Sequence, residues 1–360
     1  MHTKNLQLRS DQWWTMSKFT KRIVIFSVFA VIVLALLIYY VNPREYYLAL
    51  KDFPVTIAIA YLGIMFISFF LRSFRWRELL SATGFDTSIK FAWRTMHAAW
   101  FVNWITPLRI GEMVRLYSAK KNEGISYGAN SAAIAIEHIF DLIALLIITC
   151  ISLIVTLQRR QVPDNTYLIL VLGLVAIIGL IVLVFVLLFF GKKVARIIKP
   201  IHNELYENLL FLHSSFKNGF KIASKRPVKL IMMAFLSFVI WVIESSMLYL
   251  LIIGLKLNVS FPTTILAGSI GFLTFTVPLL PGNLGTYEAV FVAILTIAGL
   301  SPRIALHVPL TDRVIKSIYM LALGLPLLLS EGINIAKLEE VDEFIEEEED
   351  KLVEENSMGK

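Results

Sequence analysis

The sequence predicts an all-α, polytopic integral membrane protein built as a helical bundle. Of its 360 residues 57% are hydrophobic and only 17% charged, and the mean hydropathy is +0.71. A water-soluble enzyme carries nearer a quarter of its residues as charges. The apolar residues also fall in runs of about twenty, the length at which one helix crosses a bilayer. The single cysteine, Cys150, lies inside one such run, which excludes an internal disulfide framework, a cysteine metal site and a CxxC redox pair.

In chain order, residues 1–22 form a short basic N-terminal segment whose Trp13 and Trp14 suit an interfacial anchor. The first span, Ile23–Val41, follows Lys18, Lys21 and Arg22 and has no small-residue cleavage site, so it reads as a retained span and not as a signal peptide. Further spans are expected at Pro54–Leu71, Tyr127–Leu157, Thr166–Phe190, Lys229–Leu255 and Arg303–Ser330. Two other apolar stretches, Phe91–Tyr117 and Phe261–Leu300, are broken at their centres by ITPLRIGE and PLLPGNLGTYE, and each reads as a helical hairpin that either re-enters one face or crosses twice. The breaks fall at Pro107, Gly111, Pro278 and Pro281. Such breaks free backbone groups that lipid cannot satisfy, so they are expected to face protein or a watery cavity.

With the N-terminus in the cytoplasm, the inner connections receive Arg72, Arg75, Arg77, Lys90, Lys120, Lys121 and nine bases from Lys192 to Lys229. The outer connections keep Arg44, Lys51, Arg159, Arg160 and Lys256. This bias places both termini on the cytoplasmic side of the cell membrane. It also accounts for the basic body, because the formal charge of +7 combines −8 on Lys337–Lys360 with +15 elsewhere. Basic residues beside anionic lipid are the expected cause, and no nucleic-acid partner is implied. Residues 191–228 contain an amphipathic stripe through Ile197, Ile201, Leu205, Leu209, Leu212, Phe216 and Phe220, expected to lie on the cytoplasmic leaflet or a neighbouring loop. The tail 331–360, with EFIEEEED, is expected to be disordered and cytoplasmic.

The membrane region 23–330 contains an internal echo. NWITPLRIGEMVRLY is followed about 175 residues later by TFTVPLLPGNLGTYE, GIS at Gly124 by GLS at Gly299, and EHIFDLIALL at Glu137 by DRVIKSIYML at Asp312. The halves, about 23–157 and 166–330, enter their hairpins from opposite sides in the topology above, which predicts an inverted repeat of the kind transporters build around a central site. Polar residues gather at matching places: Arg94, His97, Asn103, Arg109, Glu112 and Arg115, then Glu137, His138 and Asp141, in the first half. Asn283, Glu288, Asp312, Arg313 and Lys316 follow in the second. Glu137 and Asp141 share a helix face, as do Asp312 and Lys316. The simplest arrangement pairs the acids of the first stripe with Arg313 and Lys316 across the repeat interface, a charge network that also includes His138 and is as readily architectural as functional.

The broken hairpins are the better candidates for substrate binding. Arg109 and Arg115 can grip a phosphate, Glu112 can hold them or meet a cationic headgroup, and Asn103 lies beside them. Gly282 and Gly285 permit a tight turn, and the helix start near Tyr287 suits an anion that Glu288 would oppose. Six acids and five bases within the membrane leave the sign of the headgroup open. His97 and His307 are isolated and read as core or interface groups. Enzyme, nucleotide and metal signatures are absent from the sequence, so no cofactor and no metal are expected.

The segments NWITPLRIGEMVRLY, AIEHIFDLIAL, PLLPGNLGTYEAVFVAIL and DRVIKSIYMLALG resemble the lysylphosphatidylglycerol synthase transmembrane family, a flippase-like membrane region found also in some archaeal glycosyltransferases. The resemblance runs from the first span to about Ser330. That family usually carries Arg at the position of His138 and Gly at that of Asn283; Asn tolerates left-handed backbone, so the turn survives. In fused members a soluble domain makes the aminoacyl lipid and the membrane region moves it. The resemblance therefore implies a translocator of a phospholipid or polyprenyl-phosphate-linked headgroup, expected here without the soluble aminoacyl-transferase domain and serving a separate lipid-modifying enzyme. The rival expectations are a membrane-embedded enzyme or subunit of lipid or glycolipid modification, and a non-catalytic membrane scaffold.

Overall fold

A computed structural model describes residues 18–106, 109–158, 179, 225–276 and 281–332 of the chain. The span Thr166–Phe190, the stripe within 191–228, the acidic tail beyond residue 332, Trp13, Trp14, Pro107 and Pro278 lie outside the described residues. Every regular element described is helical: α1 Lys18–Val41, α2 Pro43–Lys51, α3 Val55–Ala82, α4 Ile89–Ile105, α5 Gly111–Glu123, α6 Tyr127–Gln158, α7 Pro227–Gly254, α8 Phe261–Leu273, α9 Thr286–Ile297, α10 Pro302–Tyr319 and α11 Leu325–Glu331. Four of these stretches are long and apolar enough to cross a membrane: α3, α6, α7 and the continuous run Pro302–Glu331. The bent pair α1–α2 makes a fifth.

Sequence chemistry sets the boundaries. Asn42 leaves the helix at φ 64°, its side chain accepts the Arg44 N–H, and Pro43 opens α2, so the chain turns by 80° between α1 and α2. Ser88, Ser260 and Ser301 cap α4, α8 and α10, each accepting the N–H three residues on. One turn of π-helix, Met320–Gly324, joins α10 to α11. Gly324 is required there because a Cβ would meet Phe101 Cβ at 2.7 Å.

The two breaks form hairpins, as the sequence predicts. In the first, α4 has 17 residues and α5 has 13; in the second both arms are short, α8 and α9 having 13 and 12 residues, ~20 Å each, against the ~30 Å hydrocarbon layer. In the first hairpin Gly111 packs against α4, where a Cβ would strike the Ala99 carbonyl and approach Asn103 Oδ1 at 2.6 Å. In the second, Tyr287 and Phe291 cover Gly271, and Phe272 stacks on Tyr287 with centroids 5.9 Å apart.

Helices α3 and α7, the long helices that precede the two hairpins, run antiparallel. Ser68 and Arg72 meet Glu244, Arg75 meets Ser237, and Glu78 and Ser81 meet Lys229. Around this pair the neighbours correspond in kind: α6 packs on α8 while α10–α11 packs on α4, and α3 touches α6 while α7 touches α10.

Gly111→Ala is expected to lower the unfolding free energy in detergent by about 1–3 kcal/mol, because the added methyl meets backbone that cannot yield. Gly63→Ala, where a Cβ meets nothing within 4 Å, is the matched control and should leave thermal melting unchanged.

Candidate functional site

The site begins with α3. It continues to Ala82 and does not stop at Leu71, so Arg72 and Arg75 belong to the interior and not to the cytoplasmic connection assigned from the sequence. Both are among the largest fully buried side chains, together with Arg115. The reason is positional: Ser68, Arg72, Arg75 and Trp76 lie at helical spacing on one face.

Each of these arginines is neutralised where it stands. Arg72 Nη2 lies 2.9 Å from Glu244 Oε1, with Ser68 Oγ donating to the same oxygen at 2.6 Å. Its guanidinium sits between Trp100 and Trp241, 4.8 and 4.6 Å from the ring centroids. Arg75 bridges Glu137, at 2.9 Å, and Asp141, and donates to Ser237 Oγ at 2.6 Å. Arg115 donates to Glu137 Oε2 at 2.6 Å and to Glu112 Oε2 at 2.9 Å, lying 4.7 Å over Trp76. Asn130 ties this group together, accepting from Trp76 Nε1 and donating to the Arg115 carbonyl, both at 3.0 Å.

The acids of α6 therefore do not pair with Arg313 and Lys316 across the two halves, as the sequence suggests. Arg75 and Arg115 reach them first from α3 and α5. Arg313 pairs within its own half, with Glu288 at 2.5 Å, and donates to the Gly282 carbonyl at 3.2 Å. Lys316 pairs with Asp312 at 2.9 Å, and Asp312 also accepts from Tyr61 and, at 3.2 Å, from Tyr287. Glu288 is wholly engaged, since its other oxygen accepts the Gly285 N–H at 2.6 Å. The anion at the start of α9 is thus the protein's own carboxylate.

The breaks adjoin one another. The Trp104 carbonyl would lie 3.2 Å from a Cβ on Gly282, and Arg313 sits 5.1 Å over the Trp104 ring. Gly282 and Asn283 are left-handed, with φ 53° and 55°, and Asn283 donates to Thr274 Oγ1, so Asn does sustain the turn. In the first break Arg109 is left-handed as well, at φ 56°, and Asn103 Oδ1 accepts the Gly111 N–H at 2.7 Å.

Between the breaks and the α3–α7 pair lies a cleft whose empty space, open solvent at its mouth included, is about 990 Å³. Of the residues singled out from sequence, Asn103, Arg109, Glu112, Gly282, Asn283, Glu137, His138, Asp141 and Lys316 line it. Arg115, Gly285, Glu288, Asp312 and Arg313 do not; they support its walls. Sequence reasoning missed Arg72, Glu244, Trp100, Trp104 and Trp241 as cleft residues. The signal available was the arginine pair continuing the polar face of an apolar helix beyond Leu71. His97 is buried away from the cleft, between the Trp93 carbonyl at 2.8 Å and Tyr319 Oη at 2.9 Å, a core role as expected.

Arg109 stands apart electrostatically. Its Nη1 lies 3.2 and 3.3 Å from the two ring nitrogens of His138. Among the described residues, no carboxylate comes within ion-pair distance of it, while Arg72 and Lys316, the other permanent cations of the cleft, each hold one. Among the described residues no cluster of His, Cys, Asp or Glu is arranged to hold a metal ion.

A family model for the lysylphosphatidylglycerol synthase TM region matches residues 23–324. The chain belongs to this family. Among curated relatives, a glycosyltransferase of Haloferax volcanii named AglD is 23% identical over 374 aligned positions, covering 94% of this chain and 60% of AglD. A UPF0104 membrane protein of Methanocaldococcus jannaschii is 27% identical over 62% of this chain and 91% of its own length. Another, from Methanothermobacter thermautotrophicus, is 22% identical over 87% of this chain and 96% of its own. The chain thus spans about three fifths of the glycosyltransferase and nearly all of the UPF0104 proteins. No solved structure matches it. Family membership and the long apolar helices together make it an integral, multi-pass membrane protein.

Replacing Arg75 by Met removes the cation shared by Glu137 and Asp141 and should destabilise the fold by about 3–5 kcal/mol, the cost of stranding buried charge. Adding Asp141→Leu to Arg75→Met should recover part of that loss in a detergent unfolding titration, since Glu137 retains Arg115.

Proposed function

We propose that this protein moves a phosphate-bearing lipid headgroup between the leaflets of the cell membrane through the cleft, leaving the hydrocarbon tails in lipid. The observation that carries this reading is Arg109: a permanent cation on the wall of a cleft between two broken hairpins, with no carboxylate in ion-pair contact among the described residues, Glu112 lying beyond the His138 ring at 3.7 Å from its Nε2. A phosphate monoester or diester supplies the contact counter-ion that Arg109 lacks and takes parallel hydrogen bonds from the guanidinium. Asn103 anchors the break that presents Arg109, and Glu112 reaches the cleft while holding Arg115.

Several features support transport as opposed to simple lipid binding. The antiparallel α3 and α7, their matching neighbours and the two adjoining breaks fit an inverted repeat with its site between the halves. The arms of the second hairpin, 13 and 12 residues, fit a re-entrant element better than two full crossings. The orientation with both termini in the cytoplasm follows from the excess of Lys and Arg in the inner connections and survives the loss of Arg72 and Arg75 from that tally, since Arg77, Lys90, Lys120 and Lys121 remain. No ATP-binding motif is present in the sequence, so the exchange is driven by a gradient, by consumption of the product, or is equilibrating.

The name of the Haloferax relative supports a second reading, in which this chain is the membrane-embedded part of a glycolipid-modifying activity. Product formation by the purified protein from a labelled sugar or aminoacyl donor distinguishes the two.

Reconstituted in vesicles, the protein should accelerate leaflet exchange of a labelled phospholipid or polyprenyl phosphate, and Arg109→Gln should slow it at least tenfold while melting as wild type. Absence of acceleration for every phosphate lipid tried sinks the transport reading. Deleting the residues after Lys337 should leave exchange intact; its loss would point to scaffolding through the tail.

A further inference from the structure

The cleft is electrically balanced before any ligand enters. Four carboxylates line it, Glu112, Glu137, Asp141 and Glu244. Arg72, Arg75 and Arg115 hold them in ion pairs, and Arg109 brings the set to neutrality. Lys316 and Asp312 answer each other. A phosphate diester seated on Arg109 therefore adds one negative charge to a neutral interior, where net charge is poorly solvated. One proton entering with the phosphate restores the balance. A carboxylate of the cleft can take that proton only by giving up its arginine. Among the described residues, the one neutral titratable side chain on the cleft wall is His138. Its side chain is 35% exposed, so a proton has a route to the ring.

The surroundings of that ring give its two protonation states different partners. Arg109 Nη1 lies 3.2 Å from Nδ1 and 3.3 Å from Nε2. A neutral ring has one bare nitrogen, which accepts from this guanidinium in either tautomer. A protonated ring has none: both nitrogens donate, and two cations face each other. The acid in reach of the ring is Glu112, whose Oε1 lies 3.7 Å from Nε2 while its other oxygen holds Arg115. The other charges near the ring are committed. Glu137 and Asp141 on α6 share Arg75 of α3, Glu244 on α7 holds Arg72, and α8 has no ionisable side chain. A phosphate placed between Arg109 and the protonated ring answers both cations at once.

Resting on the phosphate-headgroup reading above, we infer that the headgroup phosphate binds together with one proton, carried by His138, and that exchange between leaflets is thereby coupled to proton movement. The proton passes from water on one side of the membrane to a ring nitrogen and then to water on the other side, with no other bond made or broken. Two lipid sources supply a singly charged phosphate diester: a glycerol phosphate on acyl chains and a glycosyl phosphate on a prenyl chain. Neither titrates where histidine does, so a response to pH belongs to the protein.

The purified full chain in detergent, titrated calorimetrically with short-chain phosphatidylglycerol and with a hexosyl prenyl phosphate, tests the inference. Buffers of different ionisation enthalpy at about pH 6, 7 and 8, across the range where histidine titrates, count the protons taken up per lipid bound. Whichever lipid binds assigns the tail. Uptake should approach one proton per lipid, and affinity should fall as pH rises, by up to about tenfold per unit. His138→Gln should abolish the uptake and bind at acid pH as weakly as wild type does at alkaline pH. His138→Arg should abolish the uptake and bind tightly throughout, since its charge is permanent. In vesicles, an imposed pH gradient should drive the labelled lipid into the leaflet facing the alkaline compartment.

Binding that needs Arg109 but takes up no proton at any of the three pH values overturns the inference and leaves the phosphate reading intact. Uptake that persists in His138→Gln, or a lipid distribution that ignores the gradient, overturns it as well. Binding indifferent to Arg109→Gln, or no binding of either lipid, overturns the phosphate reading itself. The uptake and gradient measurements on the wild-type chain need no variant to fold.

Discussion

The constraint on which the structure depends is that an ionised side chain inside a helical membrane bundle needs its counter-charge within hydrogen-bonding distance. Placing a lone Arg or Asp at the centre of a membrane helix costs about 2.5–3.5 kcal/mol on insertion scales. Here α3 carries two arginines into the interior, and α6 brings Glu137 and Asp141 to meet Arg75. Arg115 arrives from the returning arm of the first hairpin and completes the set with Glu137 and Glu112. The consecutive helices α5 and α6 are thereby fixed in register against α3, with Trp76 and Asn130 filling the gaps between them.

That register determines what is left over. Once Arg75 and Arg115 have taken the acids of α6, Arg109 is held by a left-handed backbone at φ 56° and a histidine ring instead of a carboxylate. A non-glycine residue adopts such a backbone only where its surroundings impose it, and such positions concentrate at functional sites. The hydrogen bond from the Gly111 N–H to Asn103 and the close contact of Gly111 with the Ala99 carbonyl supply the imposition.

The long helices, the two hairpins and the polar character of their breaks are legible in the sequence because each follows from a local property: hydrophobic run length, or Pro and Gly within an apolar stretch. Span ends are less so. Arg72 looks like the end of a span because hydropathy averages over neighbours and cannot see that Ser68, Arg72 and Arg75 turn inward together. For the same reason the sequence misleads on the pairing of the charges: Glu137 with Lys316 is a sensible match of signs, but which base arrives first depends on how far α3 extends and on the return of α5. Asn283 is readable because tolerance of left-handed backbone is a property of the residue itself. Trp100, Trp104 and Trp241 carry no such local mark, since an aromatic residue in an apolar helix looks the same whether it faces a cleft, a helix or lipid.

The partition of charge has a mechanical consequence. In the N-terminal half Arg75, Arg115 and Arg109 balance Glu112, Glu137 and Asp141, with Arg109 joined to Glu112 only through the His138 ring, and in the C-terminal half Arg313 answers Glu288 while Lys316 answers Asp312. Among the described residues the one fully buried ion pair that joins the halves is Arg72 with Glu244; Lys229 with Glu78 and Arg94 with Glu331 also join them, but with more exposed partners. Had the acids of α6 paired with Arg313 and Lys316, any displacement of one half against the other would have stranded several buried charges at once. As built, such a displacement separates one buried ion pair, whose arginine retains the face of Trp100 on its own half as partial compensation. Of the hydroxyl contacts across the same boundary, Thr149 with Ser269 and Trp104 with Ser317 are neutral and cost less to exchange than those with a charged partner, Tyr61 with Asp312, Arg75 with Ser237 and Ser68 with Glu244. Charge balance within each half is therefore what permits a polar cleft to exist between them without locking it shut.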